Sequence, residues 1–222
     1  MSARLVRITL AAAAAASVAT HAAAQLRVPP VQLFAGVGRL SGNSLGLVGE
    51  HGDRVYARHH SATAFQLGVE TASPVRGVGL RLGYQRSYPL LALDDVRAVD
   101  YTQWTSTEVD RTRVHTLTLD ADVHLPHVLD AAPYLLLGAG VKRYAFDQAY
   151  YQRTGQPALP RDQTQAGVHL GGGVDWSVGR YDLFVEGSYF LSRFRNDPGA
   201  ATEPAFVQDR SFTVGLRIPL HR

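Results

Sequence analysis

Leu117-Thr118-Leu119-Asp120-Ala121-Asp122-Val123-His124 is the stretch that decides how this chain folds. Leu117, Leu119, Ala121 and Val123 alternate with Thr118, Asp120, Asp122 and His124. Period two is the side-chain repeat of a β-strand. One face of this strand is therefore apolar, and the other carries acids and a histidine. A helix would spread both sets around its surface.

The same repeat recurs on both sides of this stretch, and with it the sequence predicts eight strands. The first is Val31 to Leu40. The second, Thr63 to Thr71, sets Phe65, Leu67 and Val69 against Gln66, Gly68 and Glu70. The third, Arg76 to Tyr88, sets Val78, Leu80, Leu82 and Tyr84 against Gly79, Arg81, Gly83 and Gln85. The fourth, Thr112 to Leu125, contains the opening stretch. The fifth, Tyr134 to Ala145, opposes Leu135, Leu137, Ala139 and Val141 to Gly138, Gly140 and Lys142. The sixth, Thr164 to Val178, opposes Val168, Leu170, Val174 and Trp176 to His169, Gly171, Gly173 and Asp175. The seventh, Tyr181 to Leu191, opposes Leu183, Val185, Tyr189 and Leu191 to Asp182, Glu186 and Ser188. The eighth, Arg210 to Leu220, opposes Phe212, Val214, Leu216 and Ile218 to Ser211, Thr213, Gly215 and Arg217.

The polar faces combine charge with glycine. A soluble sandwich or lipocalin buries its inner face, which is then apolar. Glycine beside charge suits the inside of a narrow barrel, with the apolar residues outside. The links agree. Those after the second, fourth and sixth strands are short: Ala72 to Val75, His124 to Pro133, and Gly179-Arg180. Those after the first, third, fifth and seventh are long: Ser41 to Ala62, Pro89 to Arg111, Phe146 to Gln163, and Arg193 to Asp209. Strict alternation of short and long is the pattern of a barrel with turns on one side of a membrane and loops on the other. Tyr134, Trp176 and Tyr181 fall near the short turns; Tyr84, Tyr88, Tyr144 and Tyr189 fall near the long links. These aromatics are expected to form two interface girdles.

Residues 1–24 read differently. Arg4 and Arg7 precede an alanine-rich apolar run from Ile8 to Thr20, and His21-Ala22-Ala23-Ala24 offers a small-residue cleavage site. That order is expected of a cleaved signal peptide, leaving residues 25–222 as one barrel domain. With 22 basic and 19 acidic residues, two of the basic ones in the leader, the mature chain is nearly neutral, and its basic residues are scattered. A nucleic-acid partner is not expected. The absence of cysteine excludes a disulfide scaffold and a thiol nucleophile. No apolar run after residue 24 reaches the roughly 18 residues of a helical span.

In pattern and loop alternation the whole mature chain resembles the small eight-stranded outer-membrane barrels of the OmpA-like and OmpX-like group. Ser211 to Leu220 looks like the C-terminal assembly signal of that group, although the chain closes on Leu220-His221-Arg222 rather than on an aromatic residue. The resemblance implies an all-β, antiparallel, up-and-down transmembrane barrel in the bacterial outer membrane. It also implies insertion by the barrel-assembly machinery, contact with outer-membrane lipids and a role in the cell envelope.

The inward faces carry Glu70, Arg81, Asp120, Asp122, Lys142, Asp175, Asp182, Glu186 and Arg217, with His124 and His169. Unpaired buried charge is costly, so these residues are expected to pair across strands and fill the lumen. Asp120 and Asp122 share one face, and the acids outnumber the bases. No metal or cofactor motif is present. Gly42-Asn43-Ser44-Leu45-Gly46 matches G-x-S-x-G but lacks the strand–elbow–helix setting of a hydrolase nucleophile. His59-His60-Ser61 places His59 and Ser61 two residues apart, on one face if the strand is continuous, beside Thr63 and Phe65. This segment resembles the His-x-Ser pair of lipid A deacylases, but Ala62 stands where that motif has asparagine. The sequence therefore favours a non-enzymatic, porin-like barrel, monomeric, with a packed polar lumen and long loops for an external partner. A lipid A-modifying enzyme using His59 and Ser61, and a soluble periplasmic ligand-binding barrel, are the alternatives. The last requires an apolar lumen.

Overall fold

The structure, a computed structural model, describes residues 30–41, 44–48, 54–72, 77–96, 105–128, 130–146, 162–194 and 205–220. The expected signal peptide lies outside the described residues. Twelve strands run in chain order: β1 (Val31–Leu40), β2 (Ser44–Val48), β3 (Arg54–His59), β4 (Ala62–Ala72), β5 (Val78–Ser87), β6 (Leu90–Val96), β7 (Thr105–Arg111), β8 (Arg113–His124), β9 (Ala131–Ala145), β10 (Gln163–Val178), β11 (Tyr181–Phe194) and β12 (Ala205–Pro219).

Eight of them close into an antiparallel barrel in the order β1-β12-β11-β10-β9-β8-β5-β4. β1 pairs with β4 on one side and with β12 on the other, so no strand edge of the barrel is left open. The eight barrel strands are those expected from the alternation. β1 has the expected bounds, whereas β12 starts at Ala205 rather than Arg210. Short links join β4 to β5, β8 to β9 and β10 to β11. Gly179 has φ 67° at the head of the two-residue turn between Val178 and Tyr181, a conformation that favours glycine. We call this end, which also holds both ends of the barrel sequence, the turn end, and the opposite one the loop end.

The two long links read as loops between Ser41 and Ala62 and between Pro89 and Arg111 are instead partly strands. β2, β3, β6 and β7 form a second antiparallel sheet in the order β2-β3-β6-β7. β3 pairs with β6 as β4 pairs with β5, and β6 pairs with β7 as β5 pairs with β8. The second sheet thus prolongs the β4-β5-β8 wall past a joint. At that joint His60 N donates to Leu90 O (2.8 Å) and Thr112 N donates to Pro89 O (2.8 Å). Leu90-Leu91-Ala92-Leu93-Asp94-Asp95 does not alternate, so period two could not reveal β6.

The polarity of the barrel is inverted relative to a soluble protein. Leu119 and Leu137 are each 60% exposed, and Phe65, Leu67, Phe212 and Val214 also face outward. Arg81 and Arg217 are each 1% exposed, and Asp122 is 0% exposed. The register explains how the inside is filled. Glu70, Arg81, Asp120, Gly138, His169, Phe190 and Asp209 form one row of opposed positions across seven strands. Glycine stands where a neighbour needs its space. A Cβ on Gly138 would lie 2.2 Å from Asp120 Oδ1. One on Gly173 would lie 2.5 Å from Tyr134 Oη, and one on Gly215 would lie 2.5 Å from the Phe184 ring.

This packing predicts opposite responses at two glycines of the same barrel. Gly138→Val, measured by urea unfolding in detergent, is expected to destabilise by about 1–3 kcal/mol through overpacking. Gly187→Ala, where an added Cβ meets nothing within 4 Å, is expected to stay within about 0.5 kcal/mol of wild type.

Candidate functional site

The lumen is the only place where the described structure gathers charged side chains away from solvent. Its chemistry divides into two clusters with one further hydrogen bond between them.

At the turn-end half, Glu186 of β11 is the hub. Arg81 Nη1 donates to Glu186 Oε2, and Arg81 Nη2 donates to Oε1 at 3.3 Å. Tyr134 Oη donates to Oε2 at 2.9 Å, and Gln66 Nε2 donates to Oε1 at 3.3 Å. Arg81 also sits 4.0 Å over the Phe34 ring, and Phe34 meets Phe184 edge-on with centroids 6.3 Å apart. Arg217 serves the acids nearby. Its Nη1 donates to Asp175 Oδ2 at 2.8 Å and stands 3.4 Å from Glu70 and 3.8 Å from Asp122. Its guanidinium lies 4.5 Å over the Tyr134 ring. His124, more than one-third exposed at the mouth, reaches Glu70 at 3.5 Å and Asp122 at 3.7 Å. The ligating atoms of Glu70, Asp122 and His124 lie within 4.8 Å of one another, within reach of a single cation.

Halfway along, His169 Nδ1 and Asp120 Oδ1 share a hydrogen bond of 2.8 Å between β10 and β8. It passes over β9 because residue 138 is glycine. Towards the loop end, Lys142 pairs with Asp209, to which Tyr144 Oη also donates (2.8 Å), and Lys142 Nζ lies 4.5 Å from the Phe190 centroid. His59 closes this cluster. It stacks on Tyr144 (5.7 Å, 18°) and Phe146 (6.5 Å, 22°), with Nε2 3.2 Å from Thr112 Oγ1. Between the clusters the lumen keeps about 20 Å³ of space, lined by Gln66, Thr116, Thr118, Lys142 and His169. That is room for about one water molecule.

The inward residues Glu70, Arg81, Asp120, Asp122, Lys142, His169, Asp175, Glu186 and Arg217 are all buried. Asp182 is instead half-buried near the turn, where it accepts from Ser177 Oγ (2.6 Å). The girdle assignment needs correction. Trp176 and Tyr189 are exposed, and Tyr84 and Tyr181 are half-buried. Tyr134 and Tyr144 are buried in the lumen instead. Leu135, Leu137 and Val141 point outward on β9, so even-numbered residues there point inward. Proximity to a strand end does not override that parity.

The proposed His59 and Ser61 pairing fails in the structure. β3 ends at His59 and β4 begins at Ala62, so the alternation does not carry across the joint. His59 is buried inside, whereas Ser61 is exposed. Ser44 opens β2; Gly42 and Asn43 lie outside the described residues. Sequence reasoning missed Asp209, which it left at the end of a link. In β12 the parity places Val207 and Asp209 inside and Gln208 outside, so polarity there does not follow the face.

No protein-family model matches the chain, and no curated protein matches its sequence. Solved structures do match its fold. The outer membrane protein OprG from Pseudomonas aeruginosa is 12% identical, with a TM-score of 0.58 over 87% of this chain and 97% of that one. Neisserial surface protein A is 14% identical, with a TM-score of 0.50 over 85% and 96%. The fold is thus that of the small eight-stranded outer-membrane β-barrels.

Two outcomes follow from these clusters. Arg81→Met leaves Glu186 buried without its ion partner and is expected to cost about 3–5 kcal/mol in urea unfolding, most of it restored in Arg81→Met/Glu186→Leu. Burial pushes His59, in the second sheet, down to about 4, outweighing the opposing pull of Asp209. The unfolded ring takes a proton below about 6.5 and the folded one resists it, so this part of the stability is complete above pH 6.5 and is lost as pH falls towards 4. Protection factors of the β3 and β6 backbone amides, corrected for the intrinsic pH dependence of exchange, are expected to fall across that window, and His59→Phe is expected to abolish the change.

Proposed function

We propose that this chain is a non-enzymatic outer-membrane protein whose barrel is a plugged, monomeric scaffold and whose second sheet and loops meet an external partner. One observation carries the reading: the barrel wall exposes leucine, valine and phenylalanine while its interior holds paired charges. In water that arrangement is unfavourable on both sides. In a bilayer the same wall is solvated by acyl chains, and closure satisfies every ladder hydrogen bond.

Orientation follows from the links. The turn end faces the periplasm and the loop end faces outward, with residues 1–24 acting as an export signal and the assembly machinery inserting the rest. The paired lumen argues for a scaffold rather than an open channel, since side chains occupy the section that a solute would use. The second sheet extends the wall beyond the lipid band and presents a stiff surface to the exterior, where a partner or the envelope itself is contacted. The burial of His59 and the exposure of Ser61 speak against a deacylase.

Fractionation should place the protein in the outer membrane, with a band that shifts between unboiled and boiled samples; a soluble protein without a shift overturns the reading. Leu119→Arg discriminates more sharply. At a bilayer midplane it costs about 2–4 kcal/mol, whereas the same change on a soluble surface stays within about 0.5 kcal/mol. Expression of wild type and Ser61→Ala in the same host is expected to leave identical lipid A mass spectra.

A further inference from the structure

The outward face of the barrel carries six arginines on its strands, Arg39, Arg86, Arg113, Arg143, Arg193 and Arg210, and all are exposed near the loop end. The inward bases Arg81, Lys142 and Arg217 are committed to acids in the lumen; these six are not. Three of them concentrate on one part of the wall. Arg86 of β5 stands opposite His115 of β8, and His115 stands opposite Arg143 of β9. Arg113 lies two residues before His115 on the same strand and so on the same face.

Arg86 and Arg143 thus flank His115 from both sides with Arg113 beside them, and like charges clustered on one sheet face repel. Little on the protein offsets this. Asp162 lies 3.4 Å from Arg143, and its other oxygen accepts from Phe146 N at 3.0 Å. Among the described residues, Arg86 and Arg113 have no carboxylate partner. The neighbours instead hold the group in place. The Arg86 guanidinium lies 4.8 Å over the Tyr88 ring, and Tyr84 Oη and His115 Nδ1 share a 2.7 Å hydrogen bond. Three exposed arginines therefore share one outward patch with one acid among them.

An anion with several acceptor oxygens turns this repulsion into attraction, and phosphate matches the fork geometry of arginine. What lies below the patch narrows the ligand further. The same outward faces continue through Leu82, Leu117, Leu119 and Val141, all well exposed. A bound molecule thus meets a cationic head site and an apolar wall in line with it. We infer that Arg86, Arg113 and Arg143, with His115, form a binding site for the phosphate group of a phosphorylated lipid whose acyl chains lie along β5, β8 and β9.

The inference rests on the membrane reading above, and the test is made on folded protein in detergent micelles so that the two fail separately. Native mass spectrometry with lipid A, enzymatically dephosphorylated lipid A and inorganic phosphate supplies the readout. Lipid A is expected to bind at least about tenfold more tightly than its dephosphorylated form. Arg86→Gln/Arg143→Gln is expected to erase that difference while keeping the heat-modifiable band, and Arg39→Gln/Arg180→Gln is expected to retain it. Equal binding of the dephosphorylated lipid overturns the site, as does an undiminished preference in the Arg86/Arg143 variant. Inorganic phosphate displacing lipid A at equal concentration overturns the lipid assignment in favour of a free anion. Should the Arg86/Arg143 variant fail to fold, Arg86→Gln alone supplies the readout: a weakened preference for lipid A over its dephosphorylated form supports the site, and an undiminished one overturns it. A protein that fractionates as soluble overturns the membrane reading whatever these titrations return.

Discussion

Closure of β1 onto β12 is the constraint on which everything else depends. Once no edge remains, each strand residue has two destinations, the lumen or the outside, and neighbours in sequence must take opposite ones. The chain has spent this choice consistently: Leu117, Leu119 and Leu137 outside, Asp120, Asp122 and Lys142 inside. A slip of one residue in any strand would exchange the two sets, placing acids outside and leucines against buried guanidinium groups. The register is therefore held from both faces at once.

The lumen then has to satisfy charges at close quarters. Six buried acids, Glu70, Asp120, Asp122, Asp175, Glu186 and Asp209, share the space with Arg81, Lys142 and Arg217. Fixed forks answer this better than single donors. Arg81 takes both oxygens of Glu186 while its flat face covers Phe34, and Arg217 covers Tyr134 while facing three carboxylates. Aromatic rings fill what the ion pairs leave, and glycines on adjacent strands make way for the rings. The polar interior and the glycine content are two sides of one packing solution.

The outer ends of the strands obey a different demand. There the wall stops being a sheet in two environments and becomes a sheet between them. Outward leucine gives way to arginine, tyrosine and histidine, and three strands continue past a joint into a second sheet. His59 at that joint is stacked between rings and kept neutral by burial, so the loop-end sheet leans on the lumen below it. The barrel and the second sheet meet at this joint through backbone hydrogen bonds and the His59 stack.

Much of this was legible in the residues themselves. Alternation from Leu117 to His124, repeated along the chain, determined eight strands, which face of each is apolar, and that short and long links alternate. It also named every lumen base and all the lumen acids but Asp209, because parity is a local property of a strand. What remained closed to sequence were relations between strands. That Arg81 pairs with Glu186 rather than with its register neighbour Glu70 depends on how the barrel brings β5 and β11 face to face. That Tyr134 and Tyr144 turn inward follows from β9 parity but is obscured by their nearness to strand ends. Asp209 and the second sheet lie where polarity does not alternate, and only hydrogen bonding to neighbours defines them. His59 and Ser61 share a parity in sequence and lose it at a joint that exists only because β3 and β6 pair above the barrel. Local periodicity tells a chain which way each side chain points; closure in three dimensions decides what it meets there.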